Sequence, residues 1–135
     1  MLGPLLFAAY VSPVGELIAE YGVEHHQYAD DTQLFLEMST STIRHDLTTL
    51  EKCSAAVRHW FAENDLQLNA DKSEVLMLGT SAQLSAASSV VDSVAVAGAT
   101  LSISSEVKSL GVVFDSRLTF DAHVRAVCKA CNYHI

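Results

Sequence analysis

Residues 28–35 read YADDTQLF, and the reading of this segment decides the rest of the chain. Two adjacent aspartates sit between strand-like runs: residues 23–29 before them and 32–38 after, the second alternating Leu34, Leu36 and Met38 against Gln33, Phe35 and Glu37. The pattern is a β-hairpin with Asp30-Asp31 as its turn. A two-residue hairpin turn favours Asn-Gly or Asp-Gly, because positive φ angles cost little there. Asp-Asp offers neither glycine freedom nor charge neutrality, so a compensating partner is expected. Divalent metal is the natural candidate, since Mg²⁺ takes carboxylate oxygens together with water and phosphates. Paired ions about 4 Å apart align an attacking hydroxyl with a leaving phosphate oxygen. For an isolated Asp-Asp pair a solvated surface turn explains as much, and the surrounding sequence has to decide.

N-terminal to the hairpin, Pro4 suits a first helical turn, and Leu5, Leu6, Ala8, Ala9 and Val11 follow as a short buried helix that Ser12-Pro13 breaks. On the other side, the polar residues 39–42 are suited to cap a helix. Ile43, Leu47, Leu50, Val57 and Trp60 then recur at spacings of three, four and seven, which predicts a long amphipathic helix to about Glu63. A polar connection leads to a short strand over residues 75–78, ended by Gly79, and the Ser- and Ala-rich residues 80–89 read as a loose loop. Val94, Val96, Leu101 and Ile103 alternate around Gly98 as a second hairpin, and residues 107–114 form a strand with Gly111 inside it. A helix opens at Asp121 with Val124, Val127 and Cys131 on its apolar side and no stop signal, as if the chain were cut inside an element.

Half of the 135 residues are apolar, enough for one folded unit with a real core. The formal charge of -8 is the wrong sign for a chain that grips phosphate backbones, so weak nucleic-acid binding by this chain alone is expected. Three cysteines do not make a secreted disulfide framework and favour an intracellular, reducing compartment. The apolar start lacks Lys or Arg before it and holds Gly3-Pro4, unlike a signal peptide. No run approaches the ~18 apolar residues of a membrane span, so no membrane partner is expected.

Four blocks occur in the order seen in reverse transcriptases of LINE-type (non-LTR) retrotransposons: LGPLLF at residues 2–7, YADDTQLF at 28–35, LQLNADKSEVLMLG at 66–79 and VKSLGVVFDSRLTFDAHV at 107–124. The chain resembles that family along nearly its whole length. The resemblance implies an α+β fold, part of a right-hand polymerase palm with a catalytic hairpin, a long amphipathic helix and a small antiparallel sheet. Residues 1–119 would be the C-terminal part of the palm and 120–135 the start of a thumb helix. Asp30 would be a Mg²⁺ ligand, with Mn²⁺ as a substitute, and Asp31 its weaker neighbour. Tyr28 and Ala29 would lie beside the primer end and the incoming nucleotide. Lys72 matches a lysine placed to protonate departing pyrophosphate as general acid, although an exposed solvated lysine explains it equally well. Gly111 would let the primer backbone come close.

The family's first catalytic aspartate and its Gln-Gly-Ser block precede LGPLLF and are not found in this sequence. A site without its bridging carboxylate should hold Mg²⁺ weakly, so the expectation is a chain that does not polymerise by itself. RNA template, DNA primer and deoxynucleotide are the partners implied for a full-length parent. A palm sheet lacking a central strand would expose edges and apolar surface, so self-association is expected. The alternative is a catalytically dead retroelement relic that acts only as an interaction module.

Cys128, Cys131 and His134, with His123 upstream, suggest zinc, but ligands three and six apart on a helix drift around its axis and converge poorly. His25 and His26, adjacent in a strand, point to opposite faces. Trp60 and Phe61 read as core packing, and Asp65, Asp71 and Asp115 as solvated acids.

Overall fold

The computed structural model describes residues 2–133. Helices α1 (Gly3–Val11) and α2 (Pro13–Glu20) lead into strands β1 (Glu24–Tyr28) and β2 (Asp31–Phe35), followed by the long helix α3 (Ile43–Glu63). A 3-10 turn at Ala70–Lys72 precedes β3 (Val75–Leu76), α4 (Ser81–Ser88), β4 (Ser93–Val96), β5 (Ala99–Ser104), β6 (Glu106–Ser109), β7 (Val112–Asp115) and α5 (Asp121–Tyr133). The fold is mixed α+β with three small sheets, ordered β1-β2, β3-β5-β4 and β6-β7. Contacts gather the chain into two compact units, Met1–Lys72 with Ala95–Thr100, and Ser73–Val94 with Leu101–Ile135, where length and composition pointed to one.

The first unit is built on α2, α3 and the β1-β2 hairpin. Val14 and Ile18 from α2, Val23 before β1, and Cys53 and Val57 from α3 form its core, with Leu34, Leu36, Trp60 and Phe61 packed around them. Val14 and Ile18, fully buried, each contribute roughly 1.5–3 kcal/mol. Ser12-Pro13 does not end helical structure as expected. Ser12 keeps helical angles and Pro13 opens α2, where its missing N–H costs nothing. Gly22, at φ +68°, closes α2 in the left-handed region. Helix α1 forms where expected but is not buried: Leu5 and Leu6 are 69% and 66% exposed, and only Val11 is covered.

Helix α3 runs to Glu63 as its periodicity requires. It ends in a Schellman arrangement, with the Leu66 N–H donating to Phe61 O at 2.8 Å and Asp65 taking φ +56° where glycine is usual. Trp60 meets Phe61 edge-on at 5.5 Å, and the Tyr10 hydroxyl donates to Asn64 O at 2.9 Å. One turn apart on α3, Ser54 and Arg58 hold the Ala97-Gly98 turn: the Ala97 N–H donates to Ser54 Oγ and Arg58 Nη1 donates to Ala97 O, both at 3.0 Å.

In the second unit, β3 pairs with β5 in parallel, Val75 opposite Ile103 and Leu76 opposite Ser104, so the small sheet is not antiparallel throughout. The expected loose loop over residues 80–89 is helix α4. Thr80 forms a capping box with Gln83, each side chain taking a backbone N–H of the other. Gly111 is not inside a strand. With Leu110 it forms a two-residue turn at φ +47° and +85°, the pattern of a type I′ hairpin, and Ser109 pairs with Val112 across it. Phe114 packs edge-on against Phe120 at 5.8 Å, and the Val113 N–H donates to His123 Nδ1 at 3.4 Å.

Candidate metal-binding hairpin

Tyr28 pairs with Asp31, so the two turn residues are Ala29 and Asp30, one position earlier than the expected Asp30-Asp31 turn. Ala29 carries the positive φ, +53°, while Asp31 is the first residue of β2. Positive φ at the first turn position alone is the type II′ pattern, which glycine usually fills. A non-glycine residue there costs of order 1–3 kcal/mol and persists only where its surroundings enforce it.

The pleat sorts the hairpin into two faces. His25 opposite Leu34 and Gln27 opposite Thr32 lie on the face towards the core. Glu24 opposite Phe35, His26 opposite Gln33 and Tyr28 opposite Asp31 lie on the other. His25 and His26 do point apart, the first half-buried and the second exposed. Tyr28 is 62% exposed, and Asp30 and Asp31 are both exposed. Neither carboxylate is taken up in an ion pair; among the described residues the one acid–base contact of that length is His59 Nε2 with Glu63 at 3.2 Å, which is an ion pair only when the imidazole is protonated.

Four of the expected site residues, Tyr28, Ala29, Asp30 and Asp31, therefore cluster at one hairpin end. Lys72 ends the 3-10 turn of the same unit, exposed and without a hydrogen bond or ion pair to either aspartate. Gly111 belongs to the other unit, and its positive φ, with open space where a Cβ would stand, gives it a conformational reason to be glycine. Among the described residues no group of three or more His, Cys, Asp or Glu could hold a metal ion. Asp30 and Asp31, adjacent and exposed at the hairpin tip, offer oxygen donors of the hard kind that Mg²⁺ takes, without a third ligand beside them among the described residues. Cys128 and Cys131 are exposed on α5, and His134 lies outside the described residues.

Asp115, expected to be a solvated acid, is the most heavily hydrogen-bonded carboxylate among the described residues. Its oxygens accept the backbone N–H groups of Thr119, Phe120 and Arg117 and the Thr119 hydroxyl, at 2.7–3.1 Å. These bonds, the Thr119 N–H foremost, pull its pKa down to about 2. The Asp-Ser-Arg-Leu-Thr run carries the signal for such a turn, since aspartate readily accepts from N–H groups just downstream.

The family model for reverse transcriptase (RNA-dependent DNA polymerase) matches residues 1–114. The chain belongs to the reverse transcriptase family. No characterised protein and no solved structure matches it in the corresponding comparisons. In this reverse transcriptase chain the matched stretch holds the hairpin, Lys72 and Gly111, and it stops one residue before Asp115, so α5 lies beyond it. None of its described helices is long and apolar enough to cross a membrane.

Proposed function

We propose that the chain is the C-terminal part of the palm of a LINE-type reverse transcriptase, the β1-β2 hairpin being its metal-binding element. The observation that carries this reading is the placement of Asp30 and Asp31, both exposed and free of ion pairs, at the tip of a hairpin whose opposite face is anchored in the core. A bound Mg²⁺, or Mn²⁺ in its place, would supply Lewis-acid stabilisation of charge on transferring phosphate oxygens. Asp30 and Asp31 would hold it, with water and nucleotide phosphates completing the shell. Tyr28, on the exposed face opposite Asp31, offers an aromatic surface to a base or sugar at the primer end, and Ala29 presents little bulk there. Lys72, exposed at the end of its 3-10 turn, is a cation of the type suited to protonating departing pyrophosphate. Residues 1–119 act as palm and α5 opens the thumb.

Two carboxylates bind a strongly hydrated ion weakly until further ligands join them. The isolated chain is accordingly inactive, and RNA template, DNA primer and deoxynucleotide are partners of a larger assembly. Charge supports this division: the unit that carries the hairpin has 11 acidic and 4 basic residues, a balance that repels phosphate backbones. Primer extension on poly(rA) with oligo(dT) and Mg²⁺ tests the reading, comparing the chain with Asp30→Asn. The expected result is no extension by either from folded protein, with Mn²⁺ broadening the amide resonances of Asp30 and Asp31 in the unsubstituted chain alone. Extension that Asp30→Asn abolishes would overturn the inactivity; Mn²⁺ broadening centred elsewhere would overturn the hairpin as the metal element.

A further inference from the structure

We infer that Gly15 and His25 are a positioning pair that sets where the Asp30 turn lies against the helices of its unit, an inference that rests on the metal-hairpin reading above. Neither residue belongs to the site. Gly15 is buried in α2, and an added Cβ there would stand 2.6 Å from His25 Nε2 and 3.2 Å from Cε1, well inside the 3.4 Å of ordinary contact. The His25 ring therefore rests edge-on against bare helix backbone. His25 is also the β1 partner of Leu34, which packs on the core formed by Val14, Ile18 and Val57.

A two-stranded hairpin is marginal by itself, so its position is inherited from whatever its inner face packs against. On β1 that face consists of His25 and Gln27, and His25 is the one seated against the glycine of α2. The hairpin has five residue pairs, and three steps of about 3.3 Å separate the His25–Leu34 pair from the Tyr28–Asp31 pair that closes the turn. A displacement at His25 is thus carried to the aspartates by a short, continuously paired ladder. Catalytic groups must be held to within about 0.5 Å, and a misplacement of about 1 Å can cost a hundredfold in rate. The gap between 2.6 Å and ordinary contact is of that size. An alanine at position 15 would displace the ring, and the inference is that β1, which carries it, follows.

The test uses the full chain, with Gly15→Ala, His25→Ala and the double variant. Alanine is the better helix former, so any loosening of the hairpin by Gly15→Ala cannot come from a weakened α2. The expected result for Gly15→Ala is a change in amide shifts throughout residues 24–35, including Asp30 and Asp31, and about tenfold faster hydrogen exchange of the hairpin amides. The double variant, with the ring gone, returns both towards the unsubstituted chain. With Mn²⁺ bound, the steeply distance-dependent relaxation of α2 amides changes in Gly15→Ala and reverts in the double variant, which a general loss of stability would not produce.

Shifts confined to His25 and its immediate neighbours would mean that the ring rotates aside without moving the strand, and would overturn the inference. So would a double variant as perturbed as Gly15→Ala. Should Gly15→Ala fail to fold, the double variant decides: folding with native hairpin shifts supports the pair, and failure to fold overturns it. Absence of any Mn²⁺ effect at Asp30 and Asp31 in the unsubstituted chain would overturn the metal reading alone, and the hairpin shifts would still decide for Gly15 and His25.

Discussion

Ala29 and Asp115 show how single residues hold unusual backbone in opposite ways. Ala29 takes a left-handed angle with no hydrogen-bonded compensation from its side chain, whereas Asp115 fixes Leu118 and Phe120, both at positive φ, by accepting the N–H groups around them. Ala29→Gly should therefore stabilise the chain by about 1 kcal/mol, read from the urea midpoint, because glycine removes the Cβ penalty. An unchanged or lower midpoint would show that the turn is not strained. Asp115 has a pH signature. Its folded pKa, about 2, lies below the ordinary aspartate value, so the folded state binds the proton less readily than the unfolded one. Its contribution is fully present above about pH 4 and fades as the pH falls towards 2. Asp115→Asn should lower the denaturation midpoint at pH 6, with the gap to the unsubstituted chain narrowing across that window; a pH-independent gap would refute the linkage.

Among the elements, helix α4 and the β6-β7 hairpin owe their form to short-range chemistry that composition conceals. Residues 80–89 look featureless because Ser and Ala carry little periodicity, yet Thr80 and Gln83 sit at capping-box spacing. Thr80→Ala should cost about 1 kcal/mol, seen as loss of helical shifts over residues 81–88 before the rest of the chain unfolds. The Leu110-Gly111 pair reads as strand interior only while alternation is the sole guide, since X-Gly between apolar runs is also a turn signal. Helix α2 stays hidden as long as Pro13 is taken for a stop, since proline equally starts a helix. By contrast, α3 and β1 are readable to within a residue, and β2 in place though it ends three residues before the expected Met38, because each has a buried face that imposes a clear period.

At the scale of the molecule, the interior of the first unit and the thiols give a direct check. Ile18 and Cys53 are fully buried, and burial raises the Cys53 thiol above its ordinary pKa. Ile18→Ala should destabilise by about 2–5 kcal/mol. In native protein a thiol reagent should modify Cys128 and Cys131 within minutes and Cys53 only on unfolding; three fast thiols would contradict the core. Exposed Leu2, Leu5, Leu6, Tyr28 and Phe35 leave apolar surface in the unit that also carries most of the negative charge.

By itself the sequence determined the mixed α+β class, the hairpin that bears Asp30 and Asp31, the long helix α3 and the reverse transcriptase relationship. Each depends on local period or on an ordered string of residues that survives without coordinates. Tertiary structure alone decided that the turn begins at Ala29, that α1 is exposed, that β3 and β5 run parallel, and that contacts divide the chain in two. It alone placed His25 against Gly15 and gathered three N–H groups on Asp115. Strand register, burial and close approach depend on residues distant in the chain, and no local pattern encodes which of them will meet.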